Sequence, residues 1–327
     1  DVRIKAWAHP KNWKWQALDL TPDKMPDLVT TGDIIATISS QAANETGIPA
    51  GLPLIAAAAD KACEVIGSGT TAPHIGAISY GTTATINVLT QKYFESTPFL
   101  PPYPAALPDA YNVEIQIYRG YWMVNWFKEE FGHQEQNVAA TRNIPPETLF
   151  DELVNAVLPG SDGLILQPYW TPGIRQPGPE ARGAIIGFHD GHTRAHVYRA
   201  ILEGVAYALR EGQERLEKRG KLKIRELRVS GGGSQSDAAM QVTANVFNLP
   251  VLRPHTYETS GLGAAIIASV GLGLHPDTVT AIKNMTRISD TFLPQSQHVT
   301  TYEHLYQQVY KPMYSRLQPL YKMLSKQ

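Results

Sequence analysis

The sequence lacks the features on which a disulfide-rich, nucleic-acid-binding or membrane-spanning protein is built. It contains one cysteine, Cys63, which excludes an internal disulfide framework and fits a reducing compartment. Lys and Arg number 29 against 30 Asp and Glu, so no basic field is available to hold a nucleic acid or an anionic membrane. No apolar run is long enough to span a bilayer. We therefore expect a cytoplasmic protein without a signal peptide, a nucleic-acid partner or a membrane partner, in which any anionic ligand is bound locally.

What the sequence does contain is typical of a globular protein. Hydrophobic residues make up 43% of the 327 residues and charged residues 18%, which is enough for one large or two medium domains with buried cores. A hairpin-like pattern over 75–89 is followed later by an amphipathic helix over about 192–219. Within that helix Arg199 and Glu203 are four residues apart, which predicts a structural ion pair. Strands and helices then alternate to the end of the chain, so the pattern predicts an α/β layer fold.

The run from Val229 to Asp237 is the strongest local signal. It places three consecutive glycines and a serine between a strand-like segment and a helix-like segment. A turn of this kind exposes backbone N–H groups where a phosphate or a nucleotide can approach, and a Cβ there would block the ligand. The spacing matches neither Gly-x-Gly-x-x-Gly nor the Gly-x-x-x-x-Gly-Lys-Ser/Thr loop. A plain connection between a strand and a helix is the alternative interpretation.

Other polar residues permit more than one role. Asp60 stands at the opening of a helix predicted over 61–66, where an N-cap is the simplest role. His189, His192 and His196 suggest a zinc site, but no Glu accompanies them as in His-Glu-x-x-His, so we predict no metal site in the protein. Cys63 lacks a paired base and is predicted to be a small buried hydrophobic residue.

Four blocks of sequence, in order, resemble the FGGY family of carbohydrate kinases, which lies within the actin-like ATPase superfamily. The blocks are Thr46–Pro53 with Asp60 and Gly67–Gly69, Tyr80–Ala84, Gly183–Gly187 with His196–Gly204, and Ser230–Ser234 with Leu262–Ala265 and Gly271–Gly273. Their order and spacing fit the family from about residue 25 to the end. The resemblance implies an actin-like (ribonuclease H-like) lobe with a mixed sheet flanked by helices.

The resemblance also implies an activity and a site. The activity is the ATP-dependent phosphorylation of a hydroxyl on a small sugar or polyol, with Mg²⁺ carried on the ATP phosphates. Asp60 matches the family's catalytic base. The nucleotide-binding residues that the resemblance implies are Gly81, Thr82, Thr83, Gly231, Gly232, Gly233, Ser234 and Asp237. An ordinary hairpin turn remains the alternative at Gly81–Thr83, and a partner of the helix dipole remains the alternative for Asp237.

The resemblance covers only part of a two-lobed family member. Residues 1–70 match the tail of the N-terminal, sugar-binding lobe, and residues 71–327 match the C-terminal, nucleotide-binding lobe. Nothing before residue 25 matches the family's first phosphate hairpin, and the segment through Trp15 shows no clear element. Together with a first residue that is not Met, this leads us to expect either a chain that begins partway through a larger one or a processed chain.

Departures from the family pattern leave the substrate open. Ala58 and Ala59 stand where glycines are usual, Lys61 stands where an amide or small residue is common, and Phe188 replaces a smaller aliphatic residue. Two other classes of function remain: a non-catalytic nucleotide-binding module, and a different actin-like ATPase that hydrolyses ATP without a sugar. A homo-oligomer is compatible with the sequence.

Overall fold

The computed structural model describes residues 2–175 and 177–325. Gln176, which falls within the loop predicted over 171–182, and the terminal residues Asp1, Lys326 and Gln327 lie outside the described residues. The chain divides into two units. The first comprises the residues up to Thr71, Leu89–Val113 and Thr259–Arg287, and the second comprises Ala72–Val88, Glu114–Glu258 and the residues from Ile288 onward.

The α-helices, in chain order, are α1 (Trp13–Leu18), α2 (Ser40–Thr46), α3 (Asp60–Gly67), α4 (Trp122–Phe131), α5 (His133–Arg142), α6 (Pro146–Asn155), α7 (Arg194–Gly220), α8 (Asp237–Phe247), α9 (Thr259–Gly271), α10 (Thr278–Met285), α11 (Ser296–Leu305) and α12 (Lys311–Leu324). Short 3₁₀ turns occupy Pro22–Lys24, Ser161–Gly163 and Gly232–Gln235, and a π-helical turn, Tyr306–Tyr310, joins α11 to α12.

The strands, in chain order, are β1 (Ile34–Thr37), β2 (Pro53–Ile55), β3 (Ile75–Tyr80), β4 (Ala84–Thr90), β5 (Tyr103–Pro104), β6 (Tyr111–Ile117), β7 (Ile165–Gln167), β8 (Ala184–Ile186), β9 (Glu226–Ser230), β10 (Val251–Pro254) and β11 (Ile288–Phe292).

The second unit is built on a mixed sheet in the order β11-β10-β9-β3-β4-β6. Strand β9 is parallel to both β3 and β10, whereas the β3–β4 hairpin and the β10–β11 pair are antiparallel. Every residue of β3 and β4 is buried, as expected for central strands that are covered on both faces. Helix α8 packs against β10 and against α7. The prediction of a mixed α/β fold, with a sheet flanked by helices, is confirmed.

Helix α7 supplies much of the core of the second unit. The predicted apolar stripe is buried, with Ile201 and Leu209 fully covered. The predicted ion pair is confirmed and is also buried: Arg199 Nε lies 2.7 Å from Glu203 Oε1. Tyr302 accepts a hydrogen bond from the Arg199 guanidinium and donates one to Glu203, at 2.7 and 2.8 Å. Because each buried charge is paired and hydrogen-bonded, the network is structural.

The first unit brings α3 and α9 into unusually close contact. A Cβ on Gly67 of α3 would overlap the carbonyl oxygen of Thr259, and a Cβ on Gly263 of α9 would overlap the carbonyl oxygen of Cys63. Glycine at both positions therefore lets the two helix backbones touch. Strands β1 and β2 form a separate antiparallel pair in the same unit, connected through α2.

Some elements differ from those predicted. Helix α1 occupies the end of the segment in which no element was expected, and Trp15 is its buried residue. The short strand β1 is exposed along its whole length, so it carries no alternation of buried and exposed residues by which it could have been recognised. Among the described residues, no helix is long and apolar enough to cross a membrane.

Replacing either contact glycine by alanine should destabilise the first unit. We expect Gly67→Ala and Gly263→Ala each to lower the free energy of unfolding by about 1–3 kcal/mol, because the added methyl group forces the two backbones apart. Urea denaturation of the purified chain measures the change. Gly261→Ala is the matched control, since its Cβ would meet nothing within 4 Å. Equal stability of Gly263→Ala and Gly261→Ala would contradict the close-packing interpretation.

The start of α7 should weaken in acid. The Thr193 amide donates to His196 Nδ1 at 3.1 Å, an interaction that only the neutral imidazole can accept. Burial lowers the pKa of His196 below its ordinary value of 6.5, and the charges of His192 and His189 lower it further, while Asp162 opposes the shift. The unfolded chain therefore binds this proton at a higher pH than the folded chain, so stability is lost as the pH falls below 6.5.

A glutamine at position 196 should remove this part of the acid sensitivity. Gln in the third helical position after Thr193 can keep the reciprocal hydrogen bond without titrating. We expect the melting temperature of His196→Gln to fall less than that of the parent chain between about pH 7.5 and pH 5.5, a window that brackets the ordinary pKa of His. Parallel thermal melts at several pH values test this. Identical pH dependence of the two proteins would show that His196 does not contribute.

Candidate functional site

The glycine turn predicted from the sequence lies between β9 and α8 of the second unit. Gly231 follows β9 with a φ angle of 82°, in the region that favours glycine. A Cβ there would also lie 3.0 Å from the backbone of Tyr80 at the end of β3. The chain then forms a 3₁₀ turn, and the Ser236 hydroxyl caps α8 by accepting from the Ala239 amide at 3.1 Å. The turn is thus anchored at both ends.

The next two glycines differ in their surroundings. A Cβ on Gly232 would meet no atom of the described residues within 4 Å, so this backbone is open to a ligand. A Cβ on Gly233 would overlap the ring of Tyr121, on which the turn rests. Ser234 is buried, and its hydroxyl donates to the Gly231 carbonyl at 2.7 Å. Gly232 is therefore the residue through which a bound molecule could approach the turn, and Gly233 is the residue that holds the turn in place.

The second predicted turn, Gly81–Thr83, is the tip of the β3–β4 hairpin. Its carbonyl groups accept from the start of α4: Tyr121 N donates to Gly81 O at 3.2 Å, and Trp122 N donates to Thr82 O at 3.3 Å. The Thr83 hydroxyl donates to the carbonyl of Tyr118 at 3.1 Å. A hydroxyl has one proton, and that of Thr83 is already donated to Tyr118. The exposed Thr82 hydroxyl is therefore better placed to donate to an anion.

Two tyrosines bring the two turns together. Strands β3 and β9 pair in parallel, with Ser79 opposite Ser230, so the hairpin tip and the glycine turn begin at the same edge of the sheet. The Tyr80 and Tyr121 rings stack with centroids 4.3 Å apart, and the Tyr80 hydroxyl lies 2.5 Å from Thr243 Oγ1 on α8. Burial raises the pKa of both tyrosines, so the hydroxyls stay neutral. Neither tyrosine was predicted as a site residue, although Tyr80 begins the sequence block that contains the hairpin turn.

Asp151 of α6 was also missed. Its carboxylate accepts from the Ser236 hydroxyl at 2.5 Å and from the Ala238 amide at 3.4 Å. Burial raises the pKa of Asp151, while the hydrogen bonds from Ser236 and Ala238 oppose that shift. Asp151 therefore ties the start of α8, and with it the end of the glycine turn, to a helix that is distant in sequence.

Asp237 is exposed at the first residue of α8. Its carboxylate accepts from Arg253 Nη2 at 2.6 Å, so it is already paired within the protein. The predicted role of Asp237 toward a nucleotide stays a prediction.

Asp60 lies in the first unit, at the first residue of α3. The N-cap position is taken by Ala59, so the N-cap role considered for Asp60 is not the one that the structure shows. The carboxylate is exposed and accepts from the Lys61 amide at 2.6 Å. The Lys61 ammonium pairs instead with Glu64, at 3.0 Å. The helix start thus holds an accessible carboxylate at the positive end of the helix dipole.

Cys63, one turn after Asp60, is buried, as predicted. Burial raises the pKa of its thiol, and the backbone carbonyl of Ala58 lies 3.4 Å from the sulfur. A protonated, buried thiol is not a nucleophile.

Among the described residues, one group of three side chains has the spacing of a metal site: Asp162, His189 and His192. The backbone amides of Gly191 and His189 donate to the Nδ1 atoms of His189 and His192, at 3.1 and 2.9 Å. The protons of the neutral rings are therefore on Nε2, where His189 faces the Asp162 carboxylate at 3.1 Å and His192 faces the Asp162 carbonyl at 3.2 Å. A metal ion would need the lone pair of a ring nitrogen. In each neutral ring the Nδ1 lone pair accepts a backbone amide and Nε2 carries the proton, so the donor set does not suit a resident metal while the backbone hydrogen bonds hold.

Comparison with known proteins identifies a family and relatives of the chain. The sequence profile of the FGGY family of carbohydrate kinases, C-terminal domain, matches residues 76–272. The chain is similar to the uncharacterized sugar kinase YgcE of Escherichia coli strain K12, with 32% identity over 312 residues that cover 93% of this chain and 63% of that protein. It is also similar to xylulose kinase of Lactococcus lactis, with 29% identity over 318 residues that cover 95% of this chain and 60% of that protein.

The fold matches a solved structure as well. The crystal structure of xylulose kinase from Lactobacillus acidophilus superposes with a TM-score of 0.80 at 23% identity, covering 95% of this chain and 61% of that one. The chain thus spans about three fifths of the length of the relatives it matches. The profile match includes both turns and covers more than half of the sequence, and by this evidence the chain belongs to the FGGY family of carbohydrate kinases.

Proposed function

We propose that the polypeptide containing these residues phosphorylates a hydroxyl group of a small sugar or polyol, with ATP as the phosphate donor and Mg²⁺ bound to its phosphates. The observation that carries the proposal is the meeting of the hairpin tip and the open glycine turn at the Tyr80 backbone. The names of the relatives, sugar kinase and xylulose kinase, support a sugar as the acceptor. ATP as the donor fits a cytoplasmic protein.

The two turns would divide the nucleotide between them. Gly231–Ser234 would line the adenosine side, where the open Gly232 lets a ligand approach the backbone. Gly81, Thr82 and Thr83 would hold the phosphates with backbone amides and the Thr82 hydroxyl. Mg²⁺ bound to the ATP phosphates would neutralise part of their negative charge, and it would contact the protein mostly through water molecules. In this proposal residues 71–327 form the nucleotide-binding lobe, and residues 1–70 form the end of the sugar-binding lobe.

Asp60 would act as the base that accepts the proton of the attacking hydroxyl. Its exposed carboxylate lies in the first turn of α3, at the positive end of the helix dipole, and accepts a hydrogen bond from the Lys61 amide. In phosphoryl transfer the attacking hydroxyl gives up its proton late, when a positioned carboxylate can accept it. The close packing of α3 on α9 gives that carboxylate a rigid support.

Replacing Asp60 should stop transfer but not nucleotide binding. In the full-length polypeptide that contains these residues, we expect Asp60→Asn to lower kcat by roughly 10²-fold or more, with the Kd for ADP unchanged. ADP release is measured with xylulose, gluconate and glycerol as acceptors. Asp27→Asn, another exposed carboxylate of the first unit, is the control and should retain activity.

The outcomes separate the classes of function. Sugar-stimulated ADP release supports the kinase, sugar-independent release indicates an ATPase, and binding without turnover indicates a non-catalytic module. A near-normal kcat for Asp60→Asn would remove Asp60 as the base.

The two neighbouring glycines should respond differently to a methyl group. We expect Gly232→Ala to fold with an unchanged melting temperature and to bind ADP about tenfold more weakly, because its Cβ enters the space left for the ligand. We expect Gly233→Ala to melt at a lower temperature, because its Cβ meets the Tyr121 ring. Calorimetric titration with Mg-ADP and thermal melts test the pair. Parental ADP affinity in Gly232→Ala would place the nucleotide elsewhere.

A further inference from the structure

Arg253 of β10 binds two residues of the segment that links the glycine turn to α8, Ser234 and Asp237. Its Nε donates to the Ser234 carbonyl at 2.7 Å, and its Nη2 donates to the Asp237 carboxylate at 2.6 Å. Its Nη1 donates to Asp290 of β11 at 3.0 Å, and the guanidinium lies over the Phe292 ring at 5.0 Å from the centroid. The Arg253 side chain is 17% exposed, whereas the side chains of Asp237 and Asp290 are 72% and 48% exposed, so the guanidinium is mostly covered while its carboxylate partners face solvent.

The turn needs such an external support. Three consecutive glycines lose more backbone entropy on ordering than any other residues would, so the segment does not hold one conformation by itself. The carbonyl of Ser234 and the carboxylate of Asp237 are three residues apart and bracket the join between the 3₁₀ turn and α8. One planar guanidinium that binds both fixes the distance between them, which a single ammonium group cannot do.

The ion pair between Arg253 and Asp237 also neutralises the negative charge of the carboxylate. The Asp237 side chain is 72% exposed and stands at the end of a turn that, in the proposed function, receives an anionic nucleotide. An unpaired carboxylate there would lower the affinity of the turn for a ligand whose net charge is negative, even with the phosphates held at Gly81–Thr83. Arg253 neutralises the carboxylate within the protein and leaves the helix start favourable for an anion.

We infer that Arg253 is a positioning residue for the nucleotide: it holds Ser234 and Asp237 so that the backbone of Gly231–Gly233 is ordered before the ligand arrives. The inference rests on the proposed nucleotide binding at this turn. Arg253 itself need not touch the nucleotide. Its contribution is to remove the ordering cost and the repulsion that binding would otherwise meet.

The test compares Mg-ADP affinity by calorimetric titration in the 327-residue chain and four variants. We expect Arg253→Met to bind ADP at least about tenfold more weakly, in line with the loss of two charge-assisted hydrogen bonds. Arg253→Lys should recover part of the affinity, since it keeps the charge beside Asp237 but cannot hold both acceptors. Asp290→Ala is the matched control: it removes the third partner of Arg253 but leaves the bonds to the turn, so its affinity should stay near that of the parent.

The fourth variant separates positioning from general stability. Asp237→Asn combined with Arg253→Met should bind ADP more tightly than Arg253→Met alone, because the repelling charge is gone. A purely structural role would instead give a loss that follows the melting temperature and is not reversed by Asp237→Asn. Parental affinity in both Arg253→Met and Arg253→Lys, or an equal loss in Asp290→Ala, would overturn the inference. No ADP binding by the parent chain would count against the proposed function itself.

Discussion

The backbone contact between Gly231 and Tyr80 is the constraint on which the site depends. Parallel pairing of β3 with β9 brings the ends of two strands to the same edge of the sheet, and only a glycine there allows the chains to approach so closely. Tyr80 in turn stacks on Tyr121, and the ring of Tyr121 supports Gly233. The position of the glycine turn is therefore set by packing beneath it, while the described residues leave the backbone of Gly232 uncovered.

Local sequence patterns were sufficient to predict the two turns but not what holds them. A run of three glycines between a strand and a helix, and a Gly-Thr-Thr hairpin tip, are visible in a few consecutive residues. The supports come from far away: Asp151 reaches Ser236 across 85 positions, and Tyr80 reaches Thr243 across 163. No spacing rule connects such residues, because only the folded sheet places them together.

The division of the chain shows a similar limit. A boundary near residue 70 is what the family resemblance implies, between the tail of one lobe and the next lobe. The first unit nevertheless also contains Leu89–Val113 and Thr259–Arg287. The reason lies in the contact of α9 with α3, in which Gly67 and Gly263 each make room for the partner backbone. In the sequence these glycines indicate only helix ends or small-residue motifs. In the fold they allow the backbones of α3 and α9 to contact each other. Asp60 depends on that contact, since α3 is the element that carries it.

The two ionic supports of the glycine turn illustrate how a flexible segment can be both open and ordered. Asp151 fixes the start of α8 by accepting from Ser236 and Ala238, and Arg253 fixes the join before it by donating to Ser234 and Asp237. Both side chains come from elements outside the turn. A side chain on Gly232 itself would instead fill the space that the proposed nucleotide would need. Placing the ordering groups on α6 and β10 avoids this conflict, and it explains how three glycines in a row are compatible with a turn of defined conformation.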